Sequence, residues 1–443
     1  MRRLEKMLLL LLACVLLPPL AARAEKASSL PAWFRITYKA AEHTLANDKK
    51  FISKDQITTC QPAVDAEINA LADAYEADRA PNMKSNSNPQ RNARLDIHIV
   101  HSVSGRSAMS FLVLARESYN RKQQQSPCVA RTYDMETGER IFLADLFDED
   151  SEGWDLLGES VYETLSNYFP GESCDVDQLN ALCAREALEN AAFTLEPVCL
   201  TVYYEARLLF PDHPGLMRVS VPYRAMAGML TDYGALQTDN SMYKMVALTF
   251  DDGPAYGTTA TLLNNLRRSG AKGTFFLVGD RISEYTDITL RENDEGHSLQ
   301  SHHFKHTDTT KSNAARIQSY TKQFYDALTK VTGTAPRMLR PPYGLDEPFV
   351  KARVNLPIIQ WDVDTKDWTG KSPQGVLSVV KSETKDGSII LMHDIKDNTP
   401  ESGKLAAEWL RENGYLCVRV EDLFIQYGVE MEANRVYYSV TPN

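Results

Sequence analysis

Asp251 and Asp252 stand side by side at the end of the apolar run Met245–Phe250, within the stretch ALTFDDGP. Two adjacent carboxylates repel each other unless a cation takes one of them. One can then stay charged as a metal ligand while the other serves as a base, with a pKa set by its own neighbours. Gly253 and Pro254 follow at once and supply a sharp turn that aims both side chains. Four of the nine histidines fall within GHSLQSHHFKH, residues 296–306. His302 and His306 are four apart, so on one helical turn they face the same way. Two imidazoles and one carboxylate are a common donor set for a catalytic Zn2+ that keeps one position open for water. His297 and His303 are surplus to that set; they read as a packing residue and a solvated neighbour.

Such residues need a scaffold. From Met245 onward, apolar strand-like runs alternate with helical patterns, and repeated β-α units of this length imply a parallel sheet closed, or nearly closed, into a barrel. Polar clusters recur at the C-terminal ends of the expected strands: Asp251–Asp252, His302 and His306, Arg340, Asp364 and Asp367, and His393–Asp394. In α/β barrels that rim is where active sites form.

Five stretches occur in order: TFDDGP, a GH followed by H-x-x-x-H, RPPYG (Arg340–Gly344), DTKDW (Asp364–Trp368) and LMHD (Leu391–Asp394). Together they resemble the five motifs of the polysaccharide deacetylase family, carbohydrate esterase family 4, also called the nodulation-protein-B homology domain, over residues 245–425. The resemblance implies that Asp251 is the general base and that Asp252, His302 and His306 bind a divalent metal, usually zinc. It implies that Arg340 orients the base and that Asp367 tethers His393, the general acid. Trp368 and Leu391 would wall the slot for the acetyl methyl, and the backbone N–H of Tyr343 would help bind the oxyanion. The chain departs from the family pattern at His303, where Ser or Thr is usual, and in GHSLQSH, where GHEIGNH is more typical. Asp364 and Asp394 read as structural.

The region before residue 240 has a different rhythm. Residues 62–80 read as an amphipathic helix, 95–104 and 108–120 as strands, 130–147 as a hairpin turning at 136–138, 153–169 as a helix, and 200–211 and 216–223 as strands. This is an α+β pattern. It resembles, more weakly, an extracytoplasmic module found before some bacterial peptidoglycan deacetylases and in certain anti-sigma regulators, on YDMETGERIFLADLF (Tyr133–Phe147) and Leu200–Tyr223. It carries no catalytic set. His43, His98 and His101 read as surface or strand histidines, residues 81–92 as a mobile loop, and 236–244 as an interdomain linker.

With 443 residues, 43% hydrophobic and 24% charged, the chain can build two or three domains with sizeable cores. A net charge of -11 argues against nucleic acid as the main partner. Arg2, Arg3 and Lys6, the apolar run Met7–Leu17 and the small residues at Ala22-Arg23-Ala24 read as a secretory signal peptide cut after Ala24. Export permits disulfides; Cys174 and Cys183 could close a small loop, while Cys417, in an apolar run, reads as a buried thiol. The expected organisation is a signal peptide over 1–24, an α+β module over 25–235, a linker over 236–244 and a distorted (β/α) barrel over 245–443. The expected protein is a secreted, Zn2+-dependent deacetylase of the amino sugars of peptidoglycan. Chitin-type or xylan polymers are the alternative substrates. A wall-binding or sensing protein with a vestigial catalytic domain is the alternative of another class.

Overall fold

The computed structural model describes residues 29–45, 50–83, 93–346 and 353–441. The expected signal peptide, 1–24, and residues 84–92 of the expected loop lie outside them.

The N-terminal region opens with a seven-stranded sheet: β1 (Thr37–Leu45), β2 (Lys50–Thr58), β3 (Ala93–Ser104), β4 (Ala108–Tyr119), β5 (Lys122–Gln125), β6 (Cys128–Asp134) and β7 (Arg140–Ile141). Its order is β1-β2-β3-β4-β6-β7, with β5 on β4. Only β2 and β3 pair in parallel, and a parallel pair needs a crossover. Helix α1 (Pro62–Asn82) provides it, with Pro at its first position, where no N–H partner is required. It runs two residues past the start of the expected loop. Every side chain of β3 from Leu95 to Ser102 is buried, so both faces of that strand are covered. Helix α2 (Glu152–Ser166) and a second, antiparallel sheet follow, made of β8 (Ala192–Leu195), β9 (Cys199–Glu205) and β10 (Leu216–Pro222).

Helix α3 (Asp232–Thr238) leads into the C-terminal region. There, β11 (Lys244–Asp251), β12 (Gly273–Leu277), β13 (Ser298–Ser301), β14 (Ile358–Ile359), β15 (Val363–Asp364), β16 (Ile389–His393), β17 (Tyr415–Cys417) and β18 (Val436–Tyr437) alternate with helices. The parallel order is β13-β12-β11-β16-β15, with β17 also on β11. Single bridges carry the ladder on from Ser301 to Leu339 and from Leu339 to Ile358. The stretch 358–364 carries β14 and β15 on either side of a bend at Asp362. Its first end donates from Ile359 N–H to Leu339 O at 2.9 Å, and its second from Asp362 N–H to Ile389 O at 3.2 Å. Bridges and strand pairs thus link these strands in one hydrogen-bonded set. Around it lie α4 (Thr258–Ser269), α5 (Thr286–Asp294), α6 (Ala314–Thr332), α7 (Pro373–Glu383), α8 (Thr399–Glu412) and α9 (Val420–Tyr427). Their ends are written in the sequence: Asn313 caps α6 by accepting from Arg316 N–H at 2.9 Å, and Gly333 closes it in the left-handed region.

Part of the expected linker, 236–244, packs against the N-terminal region. Gln237, Asn240 and Tyr243 are buried. Tyr243 O–H donates to Gly105 O at 3.0 Å, and Gly105 N–H donates to Asn240 Oδ1 at 2.9 Å. One hydrophobic core joins Ile97 and Phe111 to Met245, Ile389 and Val418. Charged groups cross the same boundary. Arg267 of α4 forks onto Asp55 of β2 at 2.9 and 3.2 Å. Glu295 holds both Arg291 (2.7 Å) and His98 of β3 (2.9 Å). Arg419 meets Glu196 at 2.9 Å. His98 and His101, expected as ordinary surface or strand histidines, are both buried at this contact. Gly270, which ends α4 with φ 68, sits so close to His101 that a Cβ there would come within 2.5 Å of Nε2.

All six cysteines among the described residues are unpaired. Cys174 precedes an eight-residue helix, Val176–Cys183, and Cys183 is its last residue. At about 1.5 Å per residue their Cα atoms stand farther apart than a disulfide spans. Cys417 is buried, and its thiol is pushed up to about 12 by that burial. Among the described residues no helix is long and apolar enough to cross a membrane.

Candidate active site

The register of β11 against β16 builds the first part of the site. Asp251 lies opposite His393 and Thr249 opposite Leu391. Side chains alternate along a strand, so these four share one face. Arg340 reaches across to that face. Its Nη1 donates to Asp251 Oδ1 at 2.7 Å and to Thr249 Oγ1 at 2.8 Å; Nε and Nη2 donate to the carbonyls of Ile359 (3.0 Å) and Gln360 (2.9 Å). The guanidinium is fully buried over the Phe276 ring. Only a planar fork serves four acceptors at once, so lysine could not replace it. Thr249 was not singled out from the sequence, although its place two residues before Asp251 marks it as facing the same way.

Strand alternation would send Asp252 to the opposite face. Instead it adopts φ 80, left-handed backbone that ends the strand and brings its carboxylate round to the histidines. Gly253 is held tightly there: a Cβ would lie 2.1 Å from Asp394 Oδ2. Asp394 is fully buried, accepts from Thr259 Oγ1 at 2.5 Å, and is raised to about 7 by burial and by the charge of Asp252. It is the wedge under the turn, as its structural reading expected.

His302 follows β13 directly and is buried. Its Nδ1–H donates to Arg340 O at 2.8 Å, which leaves Nε2 as the lone-pair nitrogen. His302 and His306 do not share a helical turn. They sit on an irregular loop in which His303 takes φ 69, and this reversal brings the two imidazoles within 5.2 Å, centroid to centroid. His303 is also not the solvated neighbour expected. It is buried edge-on to Tyr320, neither ring nitrogen is hydrogen-bonded, and burial lowers it to about 4. His297 is the packing residue expected: buried beside Phe275, with Nδ1 accepting from Gly273 N–H at 3.0 Å.

Donor atoms of Asp252, His302 and His306 all lie within 4.8 Å of one another. Asp252 Oδ1 is buried without a hydrogen-bond partner, with His302 Nε2 at 3.5 Å and His306 Nε2 at 3.3 Å. Ligands about 2.1 Å from a tetrahedral ion are about 3.4 Å apart. The orphaned oxygen, the spacing and the N/O donor set therefore fit a divalent cation. Burial opposes the charge of Asp252, but the neighbouring His302, His306 and His393 outweigh it and hold the carboxyl at about 2.

On the other flank, His393 Nδ1–H donates to Asp367 Oδ1 at 2.9 Å, and His393 N–H donates to Asp367 Oδ2 at 2.7 Å. Thr399 Oγ1 and Trp368 N–H complete the set of donors around that carboxylate. Burial would lower the His393 pKa, but Asp367, Asp251 and Asp252 raise it above the ordinary value. Leu391 is buried on the same face, while Trp368 and Tyr343 are exposed. Tyr343 has φ 62 and sets its ring edge against His306 at 4.5 Å. Asp364 accepts from Lys366 N–H, a local turn contact.

A polysaccharide deacetylase family model matches residues 238–355. The peptidoglycan-N-acetylglucosamine deacetylase PgdA of Listeria monocytogenes is 35% identical over 198 residues, 45% of this chain and 42% of that protein. The peptidoglycan-N-acetylmuramic acid deacetylase PdaC of Bacillus subtilis is 29% identical over 187 residues, 42% of this chain and 40% of that protein. A peptidoglycan-N-acetylglucosamine deacetylase of Bacillus cereus is 34% identical over 185 residues, 39% of this chain and 67% of that protein. The chain belongs to the polysaccharide deacetylase family. It spans about two fifths of the length of the first two relatives.

Proposed function

We propose that the protein is a metal-dependent N-deacetylase of peptidoglycan amino sugars, acting outside the cytoplasm, with its catalytic residues at the strand ends of a distorted (β/α) barrel. The convergence of Asp252, His302 and His306 on one point, with Asp251 and His393 paired across adjacent strands beside it, carries this reading. The names of the similar proteins support the substrate class.

Asp252, His302 and His306 would hold the cation, which supplies Lewis acidity for the attacking water and the amide carbonyl. Asp251 takes the proton from that water. Arg340 occupies Oδ1 of Asp251, so Oδ2 is the basic atom. His393 carries a proton on Nε2 and gives it to the departing sugar amine, while Asp367 fixes the ring through Nδ1. The Tyr343 N–H supports the carbonyl oxygen as it gains charge. Leu391 and Trp368 wall the acetyl group. The water oxygen ends in acetate, and the amine leaves with the proton from His393.

The test is acetate release from peptidoglycan, chitin oligomers and acetylated xylan by the zinc-loaded chain and its Asp251→Asn variant. Loss of a general base costs about 10²- to 10⁴-fold in kcat. Metal content should be unchanged in the variant. Full activity in the variant would overturn the mechanism; release from xylan but not peptidoglycan would overturn the substrate; no release by the unaltered chain would favour a vestigial site.

A further inference from the structure

The N-terminal region reaches the rim of the site. Strands β4 and β5 form a hairpin that lies along α5. Gln123 Nε2 donates to Asp294 Oδ2 at 2.9 Å at one end of that helix, and Arg116 Nη2 donates to Asp287 O at 3.0 Å near its start. Helix α5 begins on the side where β12 ends, the side of the catalytic residues. The hairpin tip, Asn120 and Arg121, has two successive left-handed residues (φ 50 and 61), the geometry of a tight hairpin turn. It places the exposed Arg121 guanidinium over the Tyr256 ring, 4.2 Å from the centroid.

Tyr256 is four residues past Asp252, a span of at most about 14 Å of chain. It is fixed by its O–H donating to Asp287 Oδ1 at 3.0 Å and by the Tyr285 ring. A second arginine, Arg281, donates from Nη1 to Pro254 O at 3.3 Å on the same loop. Among the described residues Arg121 makes no salt bridge; its polar neighbour is the Tyr256 hydroxyl, which donates to Asp287. A cation stacked on a ring keeps its guanidinium edge available for a planar anion. On a chain with net charge -11, such a group beside the site has a selective role open to it.

Resting on the deacetylase reading above, we propose that Arg121 is a specificity residue supplied by the N-terminal region. It takes a carboxylate carried by the polysaccharide next to the sugar being deacetylated, and so favours acid-bearing glycans over neutral N-acetylated ones.

The test compares KM and kcat of the full zinc-loaded chain, Arg121→Ala and Arg121→Lys on carboxylate-bearing peptidoglycan fragments and on neutral N-acetylglucosamine oligomers. A half-exposed charge pair predicts a KM rise of about 3- to 10-fold for Arg121→Ala on the acidic fragments. Its kcat and its constants on neutral oligomers should be unchanged, Arg121→Lys should recover part of the loss, and the difference should shrink in high salt. A change of equal size on both substrates would mean that Arg121 only supports the Tyr256 loop, and no change on either would also overturn the inference. An unaltered chain inactive on both substrates would instead overturn the deacetylase reading, and this inference with it.

Discussion

The contact between Asp55 and Arg267 is the sharpest place to test whether the two regions fold as one. Their side chains are 3% and 2% exposed and meet through two hydrogen bonds. Asp55 Oδ2 also accepts from Ile99 N–H at 3.1 Å. Asp55→Ala leaves the Arg267 charge buried with only Glu295, 3.5 Å away, and strips an acceptor from β3. Breaking a buried pair from one side costs about 3–5 kcal/mol, and an orphaned buried N–H adds about 1 kcal/mol. The expected loss is therefore about 5 kcal/mol, a large share of the stability of an ordinary domain.

Urea unfolding followed by tryptophan fluorescence and far-UV circular dichroism measures it. The unaltered chain should unfold in one transition, because its core and its charge pairs cross residue 240. Asp55→Ala and Arg267→Ala should each lower the midpoint strongly. The double variant should lose clearly less than the sum, since the second removal no longer strands a charge. Additive losses within about 0.5 kcal/mol, or a single-site loss under about 1 kcal/mol, would refute the view that this pair couples the regions.

His98 is held neutral, at about 4 against the ordinary 6.5, by burial and by Arg267 and Arg291. The unfolded chain therefore binds a proton first as pH falls from 6.5 to 4, and stability should drop by about 3 kcal/mol over that window. His98→Gln should remove that part of the slope in urea midpoints measured at several pH values, and an unchanged slope would exclude His98 as its source. The raised pKa of His393 keeps it protonated above pH 6.5, so kcat should fall on the alkaline side as pH passes through that value. Asp367→Asn should move that limb to lower pH and reduce kcat, and an unmoved limb would assign it to another group. His302→Ala or His306→Ala should abolish metal uptake measured by atomic emission, together with activity, while Asp394→Asn should leave the metal content intact.

The candidate site was legible because each part sits in a short stretch whose residue types have few other uses. Asp251 beside Asp252, and His393 at the end of an apolar run, are poor choices for a plain strand end. What the sequence hid is the environment of ordinary charges. Arg291, Glu292, Asn293 and Asp294 look like the solvated face of a helix, yet every residue of α5 from Ile288 to Asp294 is buried. The N-terminal region covers them: Gln123 and Ser126 donate to Asp294 and His98 meets Glu295, while both carboxylate oxygens of Glu292 are buried without a hydrogen-bond partner. No local pattern reveals that a charged face has a charged partner some 200 positions away, because amphipathicity reports only whether a side chain is polar and not what satisfies it. The same blindness placed His303 in solvent. There backbone geometry, a left-handed turn at His303, decided what neither composition nor spacing could. The family's chemistry thus rests on local motifs, while the covering of α5, and with it the arrival of Arg121 at the rim, depends on pairings made only once both halves of the chain have met.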